Sequence, residues 1–202
     1  MMLSAEARWF WRDAPPAAFE RWFTGTDSFR GPANGGDTRC DHYLRAPDQV
    51  ELGIKKRGSG TTEIKGVITR RAITVEFNSL VACIELWGKW PASALDLTGA
   101  PLLRVGKQRW LRKFRPAGPE MREAPADYRD HSSGRDCEVE LTRLTAPDQS
   151  PWWTFGFEAH GNLDEIEPLL MGTAAAMLAH HAPRLPPADS GNYPGWLSSR
   201  AW

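Results

Sequence analysis

The chain has 202 residues and a mass of 22.6 kDa, with 41% hydrophobic and 25% charged residues. That suits one domain with a short tail and excludes wholesale disorder. Lys plus Arg and Asp plus Glu each number 25, so no net charge draws the chain to nucleic acid or an anionic membrane. No run approaches the ~18 consecutive apolar residues of a membrane helix. Glu6, Arg8, Arg12 and Asp13 interrupt the opening MMLSAEARWFWRD, so no secretory leader is expected. Cys40, Cys83 and Cys137 are widely spaced and form no C-x-x-C. They are expected to be reduced, small buried strand residues in a cytoplasmic protein. His180 and His181 are neighbours, and adjacent helical residues point about 100° apart, which does not suit a shared metal.

Residues 6–11, EARWFW, read as a first strand. Asp13 is expected to cap a short helix with Pro15 and Pro16 in its first turn, and Phe19, Trp22 and Phe23 form its apolar stripe. Residues 24–37 read as a loop. Residues 49–57 alternate, with Val50, Leu52 and Ile54 on one face and Glu51, Gly53, Lys55 and Arg57 on the other. Gly58-Ser59-Gly60 is a turn, and 61–68 returns as a hairpin with Glu63, Lys65 and Val67 on one face. Residues 72–78 place Ile73, Val75 and Phe77 together, and 80–87 read as a strand buried on both faces. Gly88 to Pro101 is a connection.

Residues 107–115 place Lys107, Arg109, Leu111, Lys113 and Arg115 on one strand face and Trp110, Arg112 and Phe114 on the other. Residues 116–135 read as a long loop. In 137–143 Glu138, Glu140 and Thr142 share a face, and in 152–160 Thr154, Gly156, Glu158 and His160 do. A helix is expected over 163–180, its stripe Ile166, Leu169, Leu170, Ala174, Met177 and Leu178 with Thr173 the polar member. The tail from Pro183 reads as extended, pinned by Trp196 and Trp202. Trp9, Trp11, Trp22, Trp152 and Trp153 are expected in the core.

The strands thus have one apolar and one charged face, the latter carrying segregated acids and cations. An open sheet would solvate those charges. A closed barrel with helices over its apolar faces would turn them inward. Such an interior is costly unless charges are paired or filled by water, metal and anion. Both architectures are α+β.

The segment DHYLRAPDQVELGIKKRGSGTTEIKG, the basic strand 107–115, CEVEL and WWTFGFEAHGN together resemble the CYTH superfamily of triphosphate tunnel metalloenzymes. The resemblance implies an antiparallel tunnel, or strongly curved sheet, in residues 1–182, followed by the 183–202 tail. It implies Glu138, Glu140 and Glu158 as catalytic carboxylates. With Glu6 they would hold Mg²⁺ or Mn²⁺. Lys55, Arg57, Lys65, Arg109, Lys113 and Arg115 would bind substrate phosphates. The family's first-strand E-x-E-x-K is altered: Glu6 is present, but Arg8 and Phe10 stand at the second and third positions, and Gly53 replaces the first arginine of an L-R-I-R strand. The expected function is metal-dependent hydrolysis of a triphosphate. The alternative is a non-catalytic module for a phosphorylated ligand, and a protein-interaction domain is a third. The partner is a small phosphorylated ligand, with self-association as a homodimer left open. No nucleic acid is expected, because Trp110 points away from the cations of its strand. No membrane partner is expected.

Overall fold

The alternating segments form one antiparallel sheet that curls until its edges meet. The computed structural model describes residues 1–25, 38–58, 60–126, 134–200 and 202. In chain order the strands are β1 (Met2–Trp11), β2 (Thr38–Leu44), β3 (Leu52–Arg57), β4 (Thr61–Phe77), β5 (Leu80–Pro91), β6 (Leu102–Ala117), β7 (Glu120–Ala124), β8 (Asp136–Thr145), β9 (Pro151–His160) and β10 (Asp189–Ser190). The helices are α1 (Ala17–Thr24), α2 (Leu163–Ala179) and α3 (Tyr193–Ser198). The sheet runs β1-β5-β4-β3-β2-β6-β8-β9, and β9 pairs back onto β1 from Ser4↔His160 to Trp11↔Trp153. Among the described residues eight strands therefore close a barrel. β7 folds back on β6, and β10 pairs with β1 at Trp9 and Phe10, beyond Glu6 where the pairing of β5 with β1 stops.

The faces expected to be apolar point out of the barrel; those of β1, β8 and β9 lie beneath α1 and α2, while Val50, Leu52 and Ile68 of the expected hairpin are exposed. Ala5, Ala7 and Trp9 of β1, Val139 and Leu141 of β8, and Phe155 and Phe157 of β9 are buried there. Phe19 and Phe23 of α1 lie against them, as does the expected stripe of α2. Thr173 satisfies its hydroxyl on the Leu169 carbonyl at 2.8 Å. Phe155 is the hub: its ring lies 4.9–6.2 Å from those of Trp9, Phe19, Phe23, Phe77 and Phe157. Of the five tryptophans expected in the core, four are buried, and Trp22 packs at its edge. A second cluster (Phe10, Tyr43, Val105, Leu144 and Trp152 with Trp196 and Leu197 of α3) closes one end of the barrel from within.

Several expectations change. Pro16, not Asp13, precedes α1, so both prolines lie before the helix. The expected strands 61–68 and 72–78 are one strand, β4, whose register shifts near Val67 and Arg70. Those shifts turn Ile73 to solvent while Val75 and Phe77 stay buried. β5 is buried on one face only at its start, with Val81 and Cys83 exposed, so Cys83 is not a core residue. β5 runs to Pro91 into the expected connection, and β6 and β7 extend through much of the expected 116–135 loop. The tail carries β10 and α3 and is not simply extended. Ser59 of the Gly58–Gly60 turn, most of the 24–37 loop, and His131, Ser132 and Ser133 lie outside the described residues. Among the described residues no helix is long and apolar enough to cross a membrane.

Truncating Phe155 removes the centre of the aromatic cluster. Phe155→Ala should lower unfolding free energy by about 3–5 kcal/mol, read as a lower urea midpoint at unchanged slope.

Candidate functional site

Because β-strand side chains alternate, outward packing of the apolar face sends the charged face into the barrel. Register then sets which charges meet. Glu6 of β1 sits opposite Glu158 of β9, Glu158 opposite Glu138 of β8, and Glu138 opposite Lys113 of β6. Three carboxylates thus lie side by side on neighbouring strands. Lys65 and Lys89 reach Glu6, the second at 3.5 Å, and Lys89 also pairs with Glu158. Lys113 lies 3.5 Å from Glu138 and 3.2 Å from Asp136.

Two residues along the strands, Arg8 and Glu140 flank Gly156. A Cβ at position 156 would lie 3.1 Å from the Arg8 guanidinium carbon and 2.9 Å from the Ala7 carbonyl oxygen. The glycine leaves the space through which Arg8 crosses β9 to reach Glu140 at 2.9 Å. Arg109 takes the other Glu140 oxygen at 2.7 Å. Deeper in, Lys107 pairs with Asp41 at 3.0 Å and donates to the Tyr43 hydroxyl at 2.8 Å, while Arg39 lies 3.1 Å from the second Asp41 oxygen. On the hairpin, Lys55 and Arg57 share Glu63 at 3.1 and 3.0 Å.

Burial disfavours every charge here, and the partners decide which survives. Burial would raise the Glu6 carboxyl, but Lys65 and Lys89 hold it well below the usual carboxylate range. Burial opposes ionisation of Glu140 too, and Arg109 and Arg8 override it. Asp41 falls to about 2 against its burial, through Lys107 and Arg39. The lysines go the other way. Burial and the neighbouring Arg57 push Lys55 down to about 8, burial outweighs Glu6 in bringing Lys89 to about 8, and burial pulls Lys107 well below the ordinary range. The interior therefore stabilises its carboxylates more fully than its ammonium groups, which an incoming anion would favour.

Of the expected residues, Glu6, Glu138, Glu140, Glu158, Lys55, Lys65, Arg109 and Lys113 all point into the barrel. Arg57 lies near the rim with its side chain 43% exposed. Arg115 lies past Phe114, the last β6 residue paired with β8, and opposite Arg122 of β7, outside the barrel wall. Arg8, Arg39, Asp41, Lys89 and Lys107 belong to the interior and were not among the expected ligands. Arg39-x-Asp41-x-Tyr43 and Glu85-x-Trp87-x-Lys89 alternate with period two, which is the signal that marks them.

Carboxylates are the right donors for Mg²⁺ or Mn²⁺. Here, however, each oxygen of Glu140 is taken by a guanidinium, and Glu6, Glu158 and Glu138 hold ammonium groups. Among the described residues no group of three or more His, Cys, Asp or Glu is arranged to hold a metal ion. As arranged, the donor set does not fit a resident divalent cation. No protein-family model and no curated protein matches the chain.

The depressed carboxyls set an acid limit. Asp41, Glu6 and Glu140 bind protons more weakly folded than unfolded, so their stabilisation is present above about pH 4.5 and is lost as pH falls toward 2. The urea midpoint should drop steeply between pH 4.5 and 2.5. A flat midpoint over that range would show that the interior pairs are not formed. Gly156→Ala should also lower the midpoint, because the methyl group displaces Arg8 and leaves Arg109 as the one cation seen on Glu140 among the described contacts.

Proposed function

We propose that the barrel interior is a binding site for a phosphorylated anion, held directly by protein cations. The carrying observation is the convergence of Arg8, Lys55, Lys65, Lys89, Lys107, Arg109 and Lys113, from five strands, inside one closed wall. Guanidinium and ammonium groups at several heights suit a chain of phosphates better than a single one. This reading matches the tunnel that the CYTH resemblance implies, with the metal's charge replaced in part by Arg8. The phosphate chain would take over lysines now held by carboxylates, and its charge would raise the pKa of Lys55 and Lys89. Binding near pH 8 therefore takes up protons.

Titration calorimetry with tripolyphosphate in chelator should show binding. Its heat should vary with buffer ionisation enthalpy as proton uptake requires, and affinity should fall as pH rises from 7.5 to 9.5. Lys55→Gln/Lys107→Gln should weaken it at least about tenfold. Absence of tripolyphosphate binding in the folded wild type at pH 7 would reject the reading.

A second reading, metal-dependent triphosphate hydrolysis, is favoured by one observation: Glu6, Glu158 and Glu138 are neighbours in register. It requires these carboxylates to give up Lys65, Lys89 and Lys113, after which they could hold Mg²⁺ or Mn²⁺, a Lewis acid suited to phosphoryl chemistry. Metal-dependent phosphate release lost in Glu138→Gln/Glu158→Gln would support it. Release that is absent with either metal, beside tight binding in chelator, would leave the non-catalytic module.

A further inference from the structure

The tail enters the same interior. Beyond Glu6, β5 no longer pairs with β1, and β10 pairs there instead, the Gly191 N–H donating to the Arg8 carbonyl at 2.9 Å. Asn192 donates to both Glu85 oxygens at 3.0 Å and accepts from the Gly195 N–H at 2.8 Å. Tyr193 then reaches inward. Lys107 Nζ lies 3.7 Å from its ring centroid, Arg8 lies 5.2 Å from it, and the ring stacks on Tyr43 at 5.9 Å. Its hydroxyl is buried and forms no hydrogen bond with any described residue. Pro194 fills the space over Gly53, where a Cβ would lie 3.0 Å from Pro194 Cγ.

With the tail seated, the cavity bounded by Arg8, Lys55, Lys65, Glu85, Tyr193 and Pro194 measures about 40 Å³. At the ~10–15 Å³ that one water needs on this measure, that admits a few waters and not a chain of phosphates. The same tail segment also borders a cleft of about 510 Å³ at the β1–β5 edge, whose lining reaches Glu6, Arg8 and Glu85, so the tail is not packed tightly along its whole length.

We propose that residues 189–200 are a displaceable plug, and that Tyr193 competes with the phosphorylated ligand for Lys107 and Arg8. The competition rests on the anion-site reading above; the opening of the plug does not. Withdrawal breaks the short β10 pairing, the Asn192–Glu85 contact and the packing of Trp196 and Leu197 on Phe10, Tyr43 and Trp152, and leaves the strand pairings of the barrel ring in place. The aromatic ring over Lys107 is a neutral stand-in for an anion, holding the ammonium by cation–π attraction until a stronger partner arrives. Gly53 makes the seat, because any side chain there meets Pro194.

Two measurements on the full-length chain test this. In hydrogen exchange, the Gly191, Gly195 and Trp196 amides should exchange at least about tenfold faster than those of Ala5 and Ala7 in β1, since the plug opens without global unfolding. Gly53→Ala should speed them further. Tail amides exchanging only at the β1 rate would overturn the plug whatever the ligand does. In the second test a disulfide locks the tail. Cβ atoms at Val50 and Gly195 lie 3.8 Å apart, within the ~3.5–4.5 Å of a disulfide. In Val50→Cys/Gly195→Cys, made with Cys83→Ser to avoid mispairing, oxidation should weaken tripolyphosphate binding at least about tenfold, and reductant should restore it. Equal binding in both states would show entry past a seated tail and overturn the competition. If the tail amides open but reduced protein and wild type both fail to bind, the anion-site reading falls and takes the competition with it.

Discussion

Everything in this molecule depends on one constraint: a charge inside a closed barrel must meet an opposite charge elsewhere in the lining. An isolated buried carboxylate costs several kcal/mol, and removing one partner of a buried pair is among the more damaging changes a fold can suffer. The interior answers with shared partners. Glu140 lies between Arg8 and Arg109, Asp41 between Lys107 and Arg39, and Glu63 between Lys55 and Arg57. A slip of one residue in any of these strands would turn its charges out and its aromatic residues in, so the ion pairs and the register specify each other.

The charges are held inside because the outside is worse. Trp9, Phe155, Phe157 and Phe77 form a surface that water would not tolerate uncovered, and α1 and α2 exist to cover it. The usual arrangement of a half-buried antiparallel sheet, apolar face in the middle and polar face in water, is thereby inverted. The apolar layer lies between barrel and helices, and the polar layer becomes the lining. The inversion explains how a chain with no net charge can concentrate cations in one place: the formal balance is global, and the segregation is local.

The tail links this lining to function. A lining of paired charges with no free space is a structural core, whereas one that can be opened is a site. Tyr193 and Pro194 are what separates the two states. Tyr193 sits on the cations without a charge of its own, and its hydroxyl has no hydrogen-bond partner among the described residues, so its seat is less demanding than the salt bridges around it. The first strand fits the same picture, since its Arg8 guanidinium neutralises the lining carboxylate Glu140.

Much of this was legible in the residues. Period-two alternation located β3, the start of β4, most of β6, β8 and β9 and assigned their faces correctly, because a strand's side-chain period does not depend on its neighbours. It failed at Ile73, where two register shifts in β4 reverse the face, and at Val81 and Cys83, where hydrophobic continuity was read as two-sided burial. Arg39, Asp41 and Lys89 show the same alternation, yet nothing local tells a lining residue from a solvated one. The descent of Tyr193 into the barrel has no local signal at all. By itself the sequence determined strand periodicity, helix α2 and the existence of two chemically opposite sheet faces, which are all properties of short stretches of backbone. Only the tertiary structure decided that the charged face is the inside, which carboxylate meets which cation, and that the tail occupies the space between them. Those outcomes depend on closure of β1 onto β9 and on contacts between residues far apart in the chain, which no local pattern encodes.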